Sequence, residues 1–424
     1  MSGPSHPLQV SDYRLFWLSR FASTCGGSAM VVVIGAQTYK IAREAYGMSE
    51  AQAAFMLGVL GFVQFVPYLL LTPVAGLLAD RMDRRYVAAT ASTVDLVLAL
   101  ILAGANHFAA LSLPLLLSIA AFYGAARVFI NPSLSAIVPN IVPAEMLPRA
   151  IAFSSISWQS GAIIGPSLAG FLLARNAALP YFFSAMLLAV VVVALLAIRH
   201  RAPPAAAKEP ALKLMSDGAR FVWHERFLLG CVTLDLFAVL LGGATAMLPA
   251  FAYDILKVGA EGLGLMRAAP ALGASLVGIY LGFHPLNRNV GAKMLWSVAI
   301  YGLATLAFGL STSFPFSLAM LALLGGADAI SVFIRNTLTQ LNTPDAMRGR
   351  VASISGLAIS ASNELGEMQS GLAAALLGPV GAVALGGAGA IVITAIWTMI
   401  FPELKRAKTF APQYREPQNK EPVT

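Results

Sequence analysis

Apolar residues in this chain come in unbroken stretches of roughly 20, the length a helix needs to cross a hydrocarbon layer of about 30 Å. Most stretches lack the polar stripe of a helix resting on a soluble core. They also lack the strict alternation of a membrane barrel. The pattern predicts twelve spans, near 16–39, 52–78, 86–106, 113–138, 150–173, 180–198, 228–252, 262–283, 293–312, 315–340, 351–378 and 381–401. The expected fold is therefore an all-α membrane protein.

The segments between spans sharpen this division. Residues 1–15 form a short polar segment, with no cleavable leader expected from it. Residues 16–198 and 228–401 would each form a six-helix bundle. The linker 199–227 opens rich in Pro and Ala. It continues with Leu212, Met215, Ala219 and Val222 at helical spacing, as in an amphipathic helix lying at the membrane surface. Residues 402–424 read as a disordered polar tail.

The two bundles also resemble each other. "PAEMLPRAIAFSS" from Pro143 matches "PDAMRGRVASISG" from Pro344, and at the same offset Gly165 meets Gly366 and Gly170 meets Gly371. Two parallel halves of six spans are the signature of a transporter built from paired bundles.

Composition agrees with this reading: 58% of the residues are hydrophobic and 11% charged, against about 25% charged in a soluble domain. The net charge of +8 could suggest nucleic acid, but position argues against it. Lys and Arg crowd the segments that share a side with both termini, whereas the other side holds only Lys40, Arg43, Arg175 and Lys257. That bias predicts cytoplasmic termini in a bacterial inner membrane, with the basic groups facing lipid. Cys25 and Cys231 fall inside spans and read as small core residues. No phosphate loop and no paired histidines at mid-membrane are found, so neither nucleotide hydrolysis nor a metal or other cofactor is expected.

Two motifs stand out. "GLLADRMDRR", Gly76 to Arg85, packs charge between two apolar runs. Gly76 would admit a neighbouring helix, Asp80 would accept hydrogen bonds at a facing helix N-terminus, and Arg81, Arg84 and Arg85 would hold acidic groups or phosphates. "GAIIGPSLAG" in the fifth span sets Gly161, Gly165, Pro166 and Gly170 on a helix built for close packing and bending. The first motif resembles the loop signature of the major facilitator superfamily, with Asp83 where that family favours glycine. The second resembles the helix-5 signature of its antiporters. "FINPSLSAIVPNIVPAEML", "LDLFAVLLGGATAMLPAFAYDIL", "GLGLMRAAPALGA" and "NTPDAMRGRV" resemble the exporter branch that includes the enterobactin exporter. The resemblance implies two pseudo-symmetric bundles, a path lined by helices 1, 4, 7 and 10, and a monomer. It also implies a latch in which Asp80 binds the start of helix 11.

Eight ionisable residues lie within spans: Asp95, Arg127, Asp235, Arg267, Asp328, Arg335, Glu364 and Glu367. Each would cost about 3 kcal/mol facing lipid at mid-membrane, so they should face the interior. Glu364 and Glu367 are three apart and share a helix face. Two carboxylates so close do not both ionise cheaply, so one can carry a proton. The alternative is a static pair of either glutamate with Arg127 or Arg335. Asp235 and Arg267 read as a structural pair across helices 7 and 8, and Asp95 as polar glue. With the path expected from the resemblance, Gln37, Arg127, Asp235, Asp328 and Asn336 become substrate or coupling positions.

The resulting expectation is a secondary transporter, not an enzyme, that exports a small siderophore-like or drug-like molecule in exchange for protons. A same-fold importer, a lipid flippase and a membrane sensor are the alternatives.

Overall fold

The computed structural model describes residues 6–199, 211–345 and 347–411, with only the backbone of Leu77, Ala79, Asp80, Asn131, Ala211, Leu212 and Leu214. Among the described residues no strand occurs. The first half comprises α1 (Ser11–Glu44), α2 (Glu50–Arg81), α3 (Arg84–His107), α4 (Leu113–Ile141), α5 (Leu147–Arg175) and α6 (Leu179–Ala197). The surface helix α7 (Ala211–His224) follows. The second half comprises α8 (Arg226–Leu241), α9 (Gly259–Phe283), α10 (Val290–Gly309), α11 (Phe314–Leu341) and α12 (Arg348–Ile400). A last short helix, α13, covers Pro402–Arg406.

Among the described residues, eleven helices are long and apolar enough to cross a membrane. The longest, α12, holds two of the expected spans. It turns at Gly378, whose φ of 74° suits glycine, and Pro379 follows immediately. Helix ends follow local chemistry. Ser49 and Gln52 form a reciprocal cap at the start of α2, with bonds of 3.3 and 2.9 Å. Asp83 caps α3 through the Arg85 amide at 3.0 Å. It also grips the Arg85 guanidinium at 2.6 Å, and that guanidinium donates to the Ile198 carbonyl at the end of α6. Arg85, held by Asp83, thus ties α3 to α6.

One expected span is not a continuous helix. The seventh, 228–252, unwinds after Leu241 at Gly242–Gly243 and resumes through a short turn into a π-helical segment, Phe251–Ile255. Adjacent glycines carry a high helix cost, and the freed carbonyls need other donors. The Tyr301 hydroxyl supplies one to Gly242 at 2.9 Å, and Arg267 one to Thr245 at 3.0 Å.

The tail expectation is corrected over its first ten residues. Phe401, Leu404, Ala407 and Phe410 recur at three-residue spacing, and the first three are buried against α8 and α10. The Gly291 amide donates to the Ala407 carbonyl at 2.9 Å. The rest of the tail lies outside the described residues. The surface helix also differs from expectation: Ala219 is exposed, while Gly218 and Val222 are buried. Gly218 lies against the Arg350 backbone, and Asp217 pairs with the Arg350 side chain at 3.4 Å. The helix is therefore docked on α12 rather than resting on lipid alone.

The halves meet tightly at the end away from the termini. A Cβ on Gly58 of α2 would lie 2.7 Å from the Gly371 Cα of α12, and one on Gly170 of α5 would lie 2.8 Å from the Gly264 Cα of α9. Only glycine permits these approaches. An apolar cluster drawn from both halves fills this end, with Tyr39, Leu57, Met247, Phe251 and Phe308 at its centre. The Phe251 and Phe308 rings sit 4.6 Å apart, a pairing worth about 1 kcal/mol beyond burial. The Tyr39 hydroxyl donates to Asp254, and Arg43 joins it at 3.2 Å. Toward the termini-bearing end, Ile151, Ile156 and Trp158 are exposed on α5, and Leu276, Ile279, Tyr280 and Phe283 on α9.

Candidate functional site

Between the halves, below the apolar plug, lies a cavity of ≈ 410 Å³. From the first half, α1 contributes a strip of small polar residues including Ser23, Thr24 and Ser28, and α2 contributes Gln64. Helix α4 contributes Tyr123 and Arg127, α3 Asp95 and α5 Trp158. From the second half come the unwound segment after α8, Arg267 on α9, Tyr301 on α10, and Asn363, Glu364 and Glu367 on α12. Helix α11, the tenth span, lines none of it; the expectation of helices 1, 4, 7 and 10 is corrected there. The tenth span packs instead against α9, where the Pro270 backbone lies against Gly325.

The charges fall into two groups. In the cavity, Arg127 reaches across from the first half to Glu364 of the second, with 3.9 Å between their nearest atoms. The arginine side chain is 38% exposed, so this pair is loose and wet. Arg127 also lies 5.7 Å from the Tyr123 ring centre, and the Tyr123 hydroxyl donates to the Gly27 carbonyl at 3.0 Å. Glu367, one turn on from Glu364, lies close to Gly61 of α2, where a Cβ would come 2.8 Å from its own. Asp95 is buried, and its Oδ1 has no hydrogen-bond partner. Read as structural from the sequence, Asp95 and Arg267 both stand on the cavity wall.

The second group lies outside this cavity. Arg335 binds Asp235 at 2.7 Å, both buried. The expected Asp235–Arg267 pair is therefore corrected. Span ten, not span eight, faces Asp235, and Arg267 is held by the unwound Thr245 carbonyl. Asp328 and Asp235 border a separate small void with Tyr301 and Ser331. Gln37 is buried within the first half, where it donates to Asn106 at 2.5 Å and accepts from the Tyr181 hydroxyl at 2.8 Å. Asn336 is exposed and away from the cavity. These two do not join the site.

The motif residues pack as follows. Gly161 and Gly165 let α5 lie against the backbone of α1 around Cys25, while Gly170 meets α9 and Pro166 presents its carbonyl to Gly264. A Cβ on Gly76 would meet no described atom within 4 Å, so the reading that it admits a close helix finds no support among the described residues. Arg81 is exposed, and Arg84 donates to the Ala136 carbonyl at 3.1 Å. The Asp80 side chain lies outside the described residues.

The sequence reading missed Tyr123, Trp158, Tyr301, Gln64 and Asn363. The available signal was an aromatic or amide group inside an apolar run, which buries only when its polar atom finds a partner or water. For the unwound segment the signal was Gly242–Gly243 followed by Pro249.

The sequence model of the Major Facilitator Superfamily matches residues 16–367. The enterobactin exporter EntS of Escherichia coli O1:K1 is 26% identical over 408 residues, covering 95% of this chain and 94% of the relative. Among solved structures, a bacterial homologue of the human lysosomal transporter Spinster, inward-facing and unoccupied, superposes with a TM-score of 0.71 at 16% identity. That match covers 98% of this chain and 100% of the other. A POT family transporter in complex with 5-aminolevulinic acid gives 0.71 at 14% identity, covering 95% and 98%.

Proposed function

This chain belongs to the Major Facilitator Superfamily, and on that premise we propose that it is a secondary transporter that exports a small molecule across the bacterial inner membrane in exchange for protons. The observation that carries the reading is the loose Arg127–Glu364 contact across the two halves, inside a cavity plugged at one end. When the halves rock, this pair must lengthen or break. Protonation of Glu364 or Glu367 removes the attraction to Arg127, so it favours one arrangement over the other. Proton loading from one side and release on the other then couple to which side the cavity faces.

The bias of Lys and Arg toward the termini-bearing side supports a cavity mouth facing the cytoplasm, where an exporter collects its cargo. The resemblance to EntS supports export, and siderophores, enterobactin included, are the first cargo to try. Hydroxyl, amide and aromatic groups around two guanidinium groups suit a polar, ring-bearing molecule.

The test is uptake of siderophores and lipophilic dyes into inverted membrane vesicles energised by a proton gradient. Energised uptake by the native chain, absent in Glu364→Gln and Glu367→Gln, is the expected result. Uptake only into right-side-out vesicles would make the protein an importer. Unchanged uptake in both variants would remove the glutamates as coupling groups.

A further inference from the structure

The break in the seventh span joins the cavity to the closed end. After Leu241 the chain runs unwound along the cavity wall, which Gly242, Gly243, Thr245 and Ala246 help to line. It then delivers Met247, Leu248 and Phe251 to the apolar plug, and Asp254 to Tyr39 and Arg43 of α1. A shift of this segment at the cavity is therefore felt at the plug.

Two side chains hold the segment in place. Tyr301 of α10 donates to the Gly242 carbonyl at 2.9 Å, and the Ala244 amide donates to the same carbonyl at 2.6 Å. A Cβ on Gly242 would lie 2.6 Å from the Tyr301 ring, so the approach is close. Arg267 of α9 donates to the Thr245 carbonyl at 3.0 Å. Carbonyls freed by a broken span need donors of this kind. Tyr301 and Arg267 both stand on the cavity wall as well.

Arg267 has capacity that the carbonyl leaves unused. A guanidinium carries five N–H donors in a planar fork, which matches two oxygens of one anion. Among the described residues the hydrogen-bond partner of Arg267 is a neutral carbonyl, and neither Glu364 nor Glu367 on the same wall reaches ion-pair distance. Arg127 differs, with Glu364 at 3.9 Å and the Tyr123 ring centre at 5.7 Å. A bidentate anion is a stronger partner for a guanidinium than a single carbonyl oxygen. It would draw Arg267 away from Thr245. Tyr123 and Trp158 offer ring surface in the same cavity.

We propose that Arg267 takes the anionic group of a ring-bearing cargo, and that this exchange frees the Thr245 carbonyl and loosens the broken segment and the plug beyond it. Arg267 is then the specificity-determining residue, and Tyr301 a positioning residue that keeps the segment seated until cargo arrives. The proposal rests on the transport reading above and names its cargo class, an aromatic molecule bearing a carboxylate or sulfonate.

The test uses the full-length protein in lipid nanodiscs at one fixed pH. No proton gradient is applied, so its failure is distinct from failure of proton-coupled export. Equilibrium dialysis compares naphthoate and naphthalenesulfonate with neutral naphthamide and cationic naphthylmethylamine. The native chain should prefer the two anions. Arg267→Gln should lower their affinity by about tenfold or more, and Arg267→Lys should keep the preference. Spin labels at Tyr46 and Lys257, exposed at the plugged end, should report a larger open fraction in the native chain when naphthoate is added. Tyr301→Phe should enlarge that fraction without any probe and keep the anion preference. Equal binding of acid, amide and amine by the native chain, or no binding of either anion, would overturn the proposal even if the glutamine variant folds poorly. So would a plugged end that ignores naphthoate, or one that is unmoved by Tyr301→Phe. An anion preference that survives Arg267→Gln and is lost in Arg127→Gln would place the anion on Arg127, and the proposal falls.

Discussion

Two arginine–carboxylate contacts in this molecule use the same chemistry and are built for opposite ends. Asp235 and Arg335 belong to one half, lie 2.7 Å apart and are sealed from solvent. Arg127 and Glu364 belong to different halves, lie 3.9 Å apart and face an open cavity. A pair inside one rigid half keeps its geometry whatever the halves do relative to each other. A pair across the halves is remade in each conformation, so its charge state and the conformation are linked. The comparison separates charges that hold the fold from charges that can drive it.

The largest expected effect comes from breaking the sealed pair. Asp235→Ala strips the buried Arg335 guanidinium of its partner at 2.7 Å, at a cost of about 3–5 kcal/mol, and should cut the yield and melting temperature of the folded protein. Replacing both Asp235 and Arg335 by leucine should recover much of that loss, because a well-packed apolar pair can stand in for a buried ion pair. Failure of the double variant to recover would mean that the pair does more than balance charge. Next in size is Gly58→Leu at the plugged end. A side chain there collides with the Gly371 backbone, so the halves should no longer close at that end. Cysteine accessibility around Leu57 should rise while the helix content stays unchanged.

The smallest effect belongs to the polar rim of the plug. Asp254→Asn weakens the Arg43 contact, which is partly exposed and worth no more than about 1 kcal/mol. A modest shift of the conformational equilibrium, without loss of fold, is expected in the same accessibility assay. An effect larger than that of Gly58→Leu would reverse the ranking and make the rim, rather than the glycine contact, the main closure.

The architecture was legible because it depends on one property repeated twelve times, an apolar run long enough to cross a membrane. The halves were legible from matching loops such as those at Pro143 and Pro344. The site was only partly legible. Glu364 and Glu367 announce themselves as charges within an apolar run, and the structure sets both on the cavity wall with Arg127. What a charge faces depends on helix rotation and on tertiary neighbours, which spacing along one chain does not record. Asp235 was therefore assigned to Arg267 when Arg335 was its partner. Gln37 looked available, yet it is consumed by Asn106 and Tyr181. The break at Gly242–Gly243 was hidden because the residues around it remain apolar, and hydropathy does not distinguish a wound segment from an unwound one. Leu404 and Ala407 were overlooked because a short apolar periodicity was read together with the polar residues beyond it.

The central claim is that protonation at the cavity glutamates sets which end of the molecule is closed. The most direct measurement is a spin-label distance across the plugged end, with labels at the exposed residues Tyr46 and Lys257, recorded in lipid at acidic and alkaline pH. The account predicts two distance populations whose ratio changes with pH in the native chain and is frozen in the Glu364→Gln, Glu367→Gln double variant. A ratio that ignores pH in the native chain, or responds to it equally in the double variant, would contradict it.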